Sequence, residues 1–327
     1  MLLPSDRPNE VQQRFIDLKY GMFVHFGINT FINKGWSNGK VSPLLYLPTE
    51  IDTDGWAQNA HRAGFNYILF TAKHHDGFCM WDTKYSDYGV KSSPNKTDVV
   101  KALAESCKKF GIKLGFYYSL WDRHEPTYKD HEKYVGYMLN QMEELMDGRY
   151  GEIAELWLDG SWVKKSALWG LERIYKKVRE LQPYCAIGVN HTIGRPGSKG
   201  LSRFPYTPAH CKRGYPMRHF PSDFRARDPL FPLPGDRDNK IYSHDGKEYY
   251  LPYEADISVR NFNNWFWNTG YPKDKLVPID FIVEKYRQLT EQGNVFVVNV
   301  APNIHGKQEE GDIEHLIKAA KVLGINR

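Results

Sequence analysis

What most constrains this chain is a rhythm. Short apolar runs of β type alternate with segments whose apolar residues recur at helical spacing. Strand-like runs fall at Met22–Phe26, Tyr67–Ala72, Lys113–Leu120, Glu155–Asp159 and Ala186–Asn190. A helix is expected near Asp54–Ala63, and another where Val100, Leu103, Cys107 and Phe110 share a face that Gly111 ends. Tyr134, Met138, Leu139, Met142 and Leu145 mark the next. A fourth starts near Ser166, shows Leu171, Ile174, Tyr175 and Val178 on one side, and stops before Pro183. After a gap, the order resumes with Leu251–Val259, a helix near Ile279–Gln292, a strand at Val295–Val300 and a last helix carrying Ile313, Leu316, Ile317 and Ala320. Such alternation predicts βαβ units and a parallel sheet, most economically an α/β fold of (β/α)₈-barrel type. Fewer than eight strands are clear, so the expectation includes an irregular or incomplete barrel. The length alone also permits two domains.

The rhythm fails from Gly194 to about Tyr250, a stretch rich in Gly, Pro and Arg. Structureless segments of that length are uncommon in compact domains and often belong to active sites. The whole chain, 1–327, is therefore read as one catalytic barrel with a long irregular insertion at about 194–250. Its net charge is +5, from 44 basic and 39 acidic residues that are interspersed, which leaves no nucleic-acid footprint. Cys79, Cys107, Cys185 and Cys211 form no CxxC pair, so free thiols in a reducing cytosol are the simpler reading. No run reaches the roughly 20 apolar residues that span a bilayer. The first residues lack a basic segment followed by an apolar core, so no membrane partner and a cytoplasmic location are expected.

In a barrel of this type the active site is built at the C-terminal ends of the strands. Those ends are polar and aromatic here: His25, then His74 and His75, then Tyr117, then Trp157 and Asp159, and later Glu254. In Glu155-Leu156-Trp157-Leu158-Asp159-Gly160, side chains alternate, so Trp157 and Asp159 share one face. An aromatic wall beside an acid suits a sugar, and the 14% aromatic content supplies such walls. Each feature also has a plainer reading: His25 as a core histidine, Asp159-Gly160 as a turn. Adjacent histidines point to opposite faces of a strand, and neither HExxH nor HxH occurs, so no metal or cofactor is expected. A site of histidines, aromatics and two carboxylates is what glycoside hydrolysis uses.

Lys19-Tyr20-Gly21-Met22-Phe23-Val24-His25-Phe26-Gly27 resembles the first barrel motif of the α-L-fucosidases of glycoside hydrolase family 29. Thr71-Ala72-Lys73-His74-His75-Asp76-Gly77-Phe78 resembles the second, and Gly115–Ser119 and Leu156–Gly160 resemble the third and fourth. Val297-Val298-Asn299-Val300-Ala301-Pro302-Asn303 resembles the last barrel strand. The resemblance implies a retaining exo-α-L-fucosidase acting on a fucosylated glycan or glycoside. It makes Asp159 the nucleophile, and His25, Trp36, His74, His75, Tyr117 and Trp157 the sugar-binding residues. Gly35 stands where a glutamate often precedes the tryptophan. Pro252-Tyr253-Glu254, followed by Ser258 and Trp265-Phe266-Trp267, resembles the family's Trp-Glu segment and implies Glu254 as acid/base. Tyr253 replaces the usual tryptophan there, and Asp223, Asp228, Asp238 and Glu248 compete for the role.

Family members typically carry a C-terminal β-sandwich, whereas this chain ends soon after its last helix. The exposed rim must be open, capped by the 194–250 segment or covered by a second copy, which motivates a homo-oligomer. Two other functions fit the residues: a non-hydrolytic fucose-binding barrel, and a metal-dependent barrel hydrolase using His25, His74 and His75.

Overall fold

The computed structural model describes residues 3–194, 212–260, 265–270 and 275–327. Its strands are β1 (Tyr20–Val24), β2 (Tyr67–Lys73), β3 (Lys113–Ser119), β4 (Ile153–Asp159), β5 (Ala186–Asn190), β6 (Phe224–Ala226), β7 (Ile241–His244), β8 (Lys247–Tyr250), β9 (Tyr253–Ser258) and β10 (Val295–Asn299). The helices are α1 (Glu10–Ile16), α2 (Ile28–Ile32), α3 (Thr53–Arg62), α4 (Val99–Phe110), α5 (His131–Met146), α6 (Leu171–Leu181), α7 (Ile279–Glu291) and α8 (Glu310–Leu323). Eight parallel strands close a barrel in the order β1-β2-β3-β4-β5-β6-β9-β10, and β10 pairs back onto β1. The fold class is as expected, and the ring is complete. Its missing member was β6, three residues long, inside the stretch where no rhythm could be read. The rest of that stretch holds the β7–β8 hairpin; residues 195–211, Cys211 among them, lie outside the described residues.

Period-two alternation divides the ring into two cores. Leu156 and Leu158 face the helices and join one large apolar cluster with Met22, Ile68, Phe116 and Val298. Phe23, Tyr117 and Trp157 instead pack inside the barrel with Tyr67, Phe224 and Val295. Large rings fit there because neighbouring strands carry glycine: a Cβ on Gly188 would lie 2.1 Å from the Phe224 ring, and one on Gly21 would lie 2.5 Å from Tyr67. Local signals set the helix limits. Asp98 accepts from the Lys101 amide ahead of α4, and Gly111, at φ +67°, ends it. α6 begins at Leu171, after a short 3-10 turn at Ser166–Leu168.

Two helices have no counterpart in the sequence reading, the short α2 and α1. Asn9 and Gln12 form a reciprocal capping box that starts α1. Its Val11 and Phe15 press into the barrel's inner cluster, with Phe15 stacked on Phe224 at 4.3 Å. The Gln12 amide donates to the carbonyls of Asp223 and Tyr250. Since Phe224, Tyr67 and Val295 are each the first residue of their strand, α1 closes the N-terminal end of the barrel.

Candidate active site

At the opposite end the strand termini converge on a small cavity of about 50 Å³. β1 delivers His25. Asn299, ending β10, donates its amide to the Trp265 carbonyl, so its oxygen must accept from His25 Nδ1–H at 2.8 Å. His25 Nε2 is thereby left as an acceptor. Burial lowers the His25 pKa to about 3, so the ring is neutral.

β2 delivers two consecutive histidines, which a regular strand would send to opposite faces. Its register with β3 slips between Thr71 and Lys73, and past that irregularity both His74 and His75 reach the cavity. Lys73 turns the other way, into a buried ion pair with Asp122 at 2.9 Å. Ser119 gives its hydroxyl hydrogen to the Trp121 carbonyl, so it accepts from His75 Nδ1–H at 2.6 Å. His75 Nε2 is then an unprotonated acceptor 3.5 Å from Asp159 Oδ2. Burial, followed by the charge of Arg123, brings its pKa to about 3.

Asp159 ends β4, and both its oxygens are held. Tyr117 O–H donates to Oδ2 at 2.7 Å, and Asn190 Nδ2, from the end of β5, donates to Oδ1 at 2.9 Å. Burial raises the carboxyl above its ordinary pKa, while those two donors and the Gly160 amide pull it back. Trp157 stacks on Tyr117 at 5.5 Å, and Tyr117 faces His74 at 5.3 Å. Trp36 is 51% exposed and meets His75 and Trp121 edge-on, forming the rim.

Asp159, His25, Trp36, His74, His75, Tyr117 and Trp157 thus all line one cavity. Phe23, Trp162, Trp265, Asp228 and Asp256 line it as well. Glu254 does not. Second in β9, it lies near the closed end of the barrel, where Tyr67 O–H donates to its Oε2 at 3.0 Å. Burial, then the neighbouring Glu155, raises its pKa well above normal, and Glu155 is itself raised to about 7, chiefly by burial. The acid/base expectation at Glu254 therefore has no cavity in front of it; Asp256, one alternation nearer the mouth, does.

Three of the competing acids are engaged elsewhere. Asp223 is held by Arg179 and Tyr175, Asp238 by Arg225 and Lys240, and Glu248 by Arg213 at the surface. Asn190 was missed, although it ends the fifth strand-like run and the strand-end rule covers it. Trp162 lies in a 3-10 turn after β4 with no such signal. Among the described residues, no three of His, Cys, Asp and Glu stand where they could hold one metal ion. A roomier groove opens at the N-terminal ends of β3 and β4, lined by the exposed charges of Lys101, Glu105, Lys108 and Glu152, away from this cavity.

A model of the α-L-fucosidase family matches residues 39–327. Alpha-L-fucosidase 1 of Arabidopsis thaliana is 35% identical over 96% of this chain, and the match covers 59% of that protein. Putative alpha-L-fucosidase 1 of Oryza sativa subsp. japonica is 31% identical over 94% of the chain and 57% of its own length. The chain spans under two thirds of the length of these curated relatives. A crystal structure of a putative alpha-L-fucosidase from Bacteroides thetaiotaomicron superposes with a TM-score of 0.75 at 28% identity, covering 99% of this chain and 69% of that one. One from Bacteroides ovatus gives 0.74 at 27%, covering 96% and 55%. A family match running from residue 39 to the last residue, with a plant relative alignable over nearly the whole chain, makes this chain a member of the α-L-fucosidase family.

Proposed function

We propose that the chain is a retaining exo-α-L-fucosidase that removes terminal α-L-fucosyl residues from glycans or glycosides. The observation that carries this reading is Asp159, a carboxylate fixed by Tyr117 and Asn190 on the wall of a cavity lined by histidines and aromatic rings. In the first step Asp159 attacks the anomeric carbon and forms a glycosyl ester while the aglycone leaves protonated. In the second, water displaces the carboxylate from the same face that the aglycone left, so the product keeps its configuration. His25 and His75, neutral with Nε2 as acceptor, take hydrogen bonds from sugar hydroxyls. Trp157 and Trp265 supply apolar walls for the ring's C–H faces.

The test is hydrolysis of 4-nitrophenyl α-L-fucoside followed by proton NMR. The first-formed product should be the α anomer, and activity should survive a chelator. A first-formed β anomer would mean inversion. Binding of fucose without turnover would favour the sugar-binding alternative, and loss of activity with chelator the metal-dependent one.

A further inference from the structure

This inference rests on the fucosidase reading, which needs a second carboxyl group able to reach the bond that Asp159 attacks. Two stand in the cavity wall, Asp228 and Asp256. Asn190 separates them. Its Nδ2 donates to Asp159 Oδ1 and also to Asp228 Oδ1. One nitrogen bonded to two oxygens keeps those oxygens within about 5 Å of each other. That matches the roughly 5–5.5 Å of retaining carboxyl pairs and falls short of the roughly 6.5–9.5 Å that inversion requires.

Depth points the same way. Asp256 sits within β9, in register with Val297, and is 3% exposed. Asp228 lies two residues beyond the end of β6 and is partly exposed. A group that meets a leaving oxygen and then a water needs an open edge. We infer that Asp228 is the catalytic acid and base, with Asn190 as the amide that sets its distance from Asp159.

The Asp228 carboxyl is raised to about 6, first by burial and then by the Asp159 charge, against the pull of Asn190 and Arg227. Asp256 faces the pair as well and is itself raised by burial and by both their charges. Asp228 therefore holds a proton in mildly acidic solution. As the bond from C1 to the aglycone oxygen breaks, its electron pair goes to that oxygen, which takes the Asp228 proton, while Asp159 bonds to C1. Asp228, now ionised, then removes a proton from water as the water oxygen bonds to C1 and the Asp159 carboxylate departs.

The test uses Asp228→Gly and Asp228→Asn on aryl α-L-fucosides of graded leaving-group acidity, with and without azide. The asparagine variant keeps an acceptor for Asn190 and guards against misfolding. Poor leaving groups should lose about 10²–10⁴-fold in kcat/KM and dinitrophenolate far less, since it needs little protonation. Azide, which needs no base, should restore turnover and release α-fucosyl azide. Equal losses across the series without azide rescue would overturn the assignment. So would these same signatures arising instead in Asp256→Asn or Glu254→Gln. A wild-type chain inert towards the whole series would overturn the fucosidase reading, and the assignment with it.

Discussion

Asp159 is held by two donors of different kinds, and they make different predictions. Asp159→Asn removes the proposed nucleophile while keeping an acceptor oxygen for one of the two donors, so kcat should fall by roughly 10³-fold or more with only a small change in melting temperature. Tyr117→Phe removes a hydrogen bond that favours the ionised carboxyl. Such bonds to charged groups contribute about 1.5–3 kcal/mol, so kcat/KM should drop about 10- to 100-fold. The pKa of Asp159 should rise further, and the acidic limb of the pH–rate profile should move to higher pH. A Tyr117→Phe profile superposable on the wild type would show that the tyrosine does not tune the nucleophile. The histidines and Asp159 were legible as residues because each sits where an apolar run stops. The partner carboxylate inferred above was not singled out, because Asp228 follows a three-residue strand inside the stretch without readable rhythm, while Glu254 sits in a longer strand-like run.

The elements were legible in proportion to their length. β2, β3 and β4, seven residues each, carry enough alternation to be read directly. β6 has three residues between Pro221 and Pro229, and its place in the ring comes from pairing with β5 and β9 rather than from its own pattern. The slip in β2 that admits His74 and His75 together is likewise a property of the pairing, invisible in a strand pattern that would send adjacent residues to opposite faces. The narrow join between β5 and β6 gives a stability prediction. Gly188→Ala would drive a methyl into the Phe224 ring and should cost about 1–3 kcal/mol, read as a lower urea midpoint at constant slope. If Gly188→Ala left the midpoint unmoved, the ring would not depend on that clearance.

For the molecule as a whole, the buried acids couple folding to pH. Glu155, raised to about 7 in the fold against about 4.3 unfolded, contributes stability that is complete at acid pH and lost as pH rises between those values. The buried, neutral His25 and His75 act in the opposite sense, losing stability as pH falls below about 6.5. Glu155→Gln isolates the first contribution: its melting temperature relative to wild type should climb from pH 5 to 8. A constant difference would mean that Glu155 is ionised throughout. The helix that corks the barrel's far end has a kinetic meaning too. With Val11 and Phe15 stoppering that end, the cavity described above opens at the opposite one. If the proposed fucosidase reaction runs here, the departing alcohol and the incoming water share that doorway, and any other alcohol waiting on the threshold would compete for the same covalent sugar.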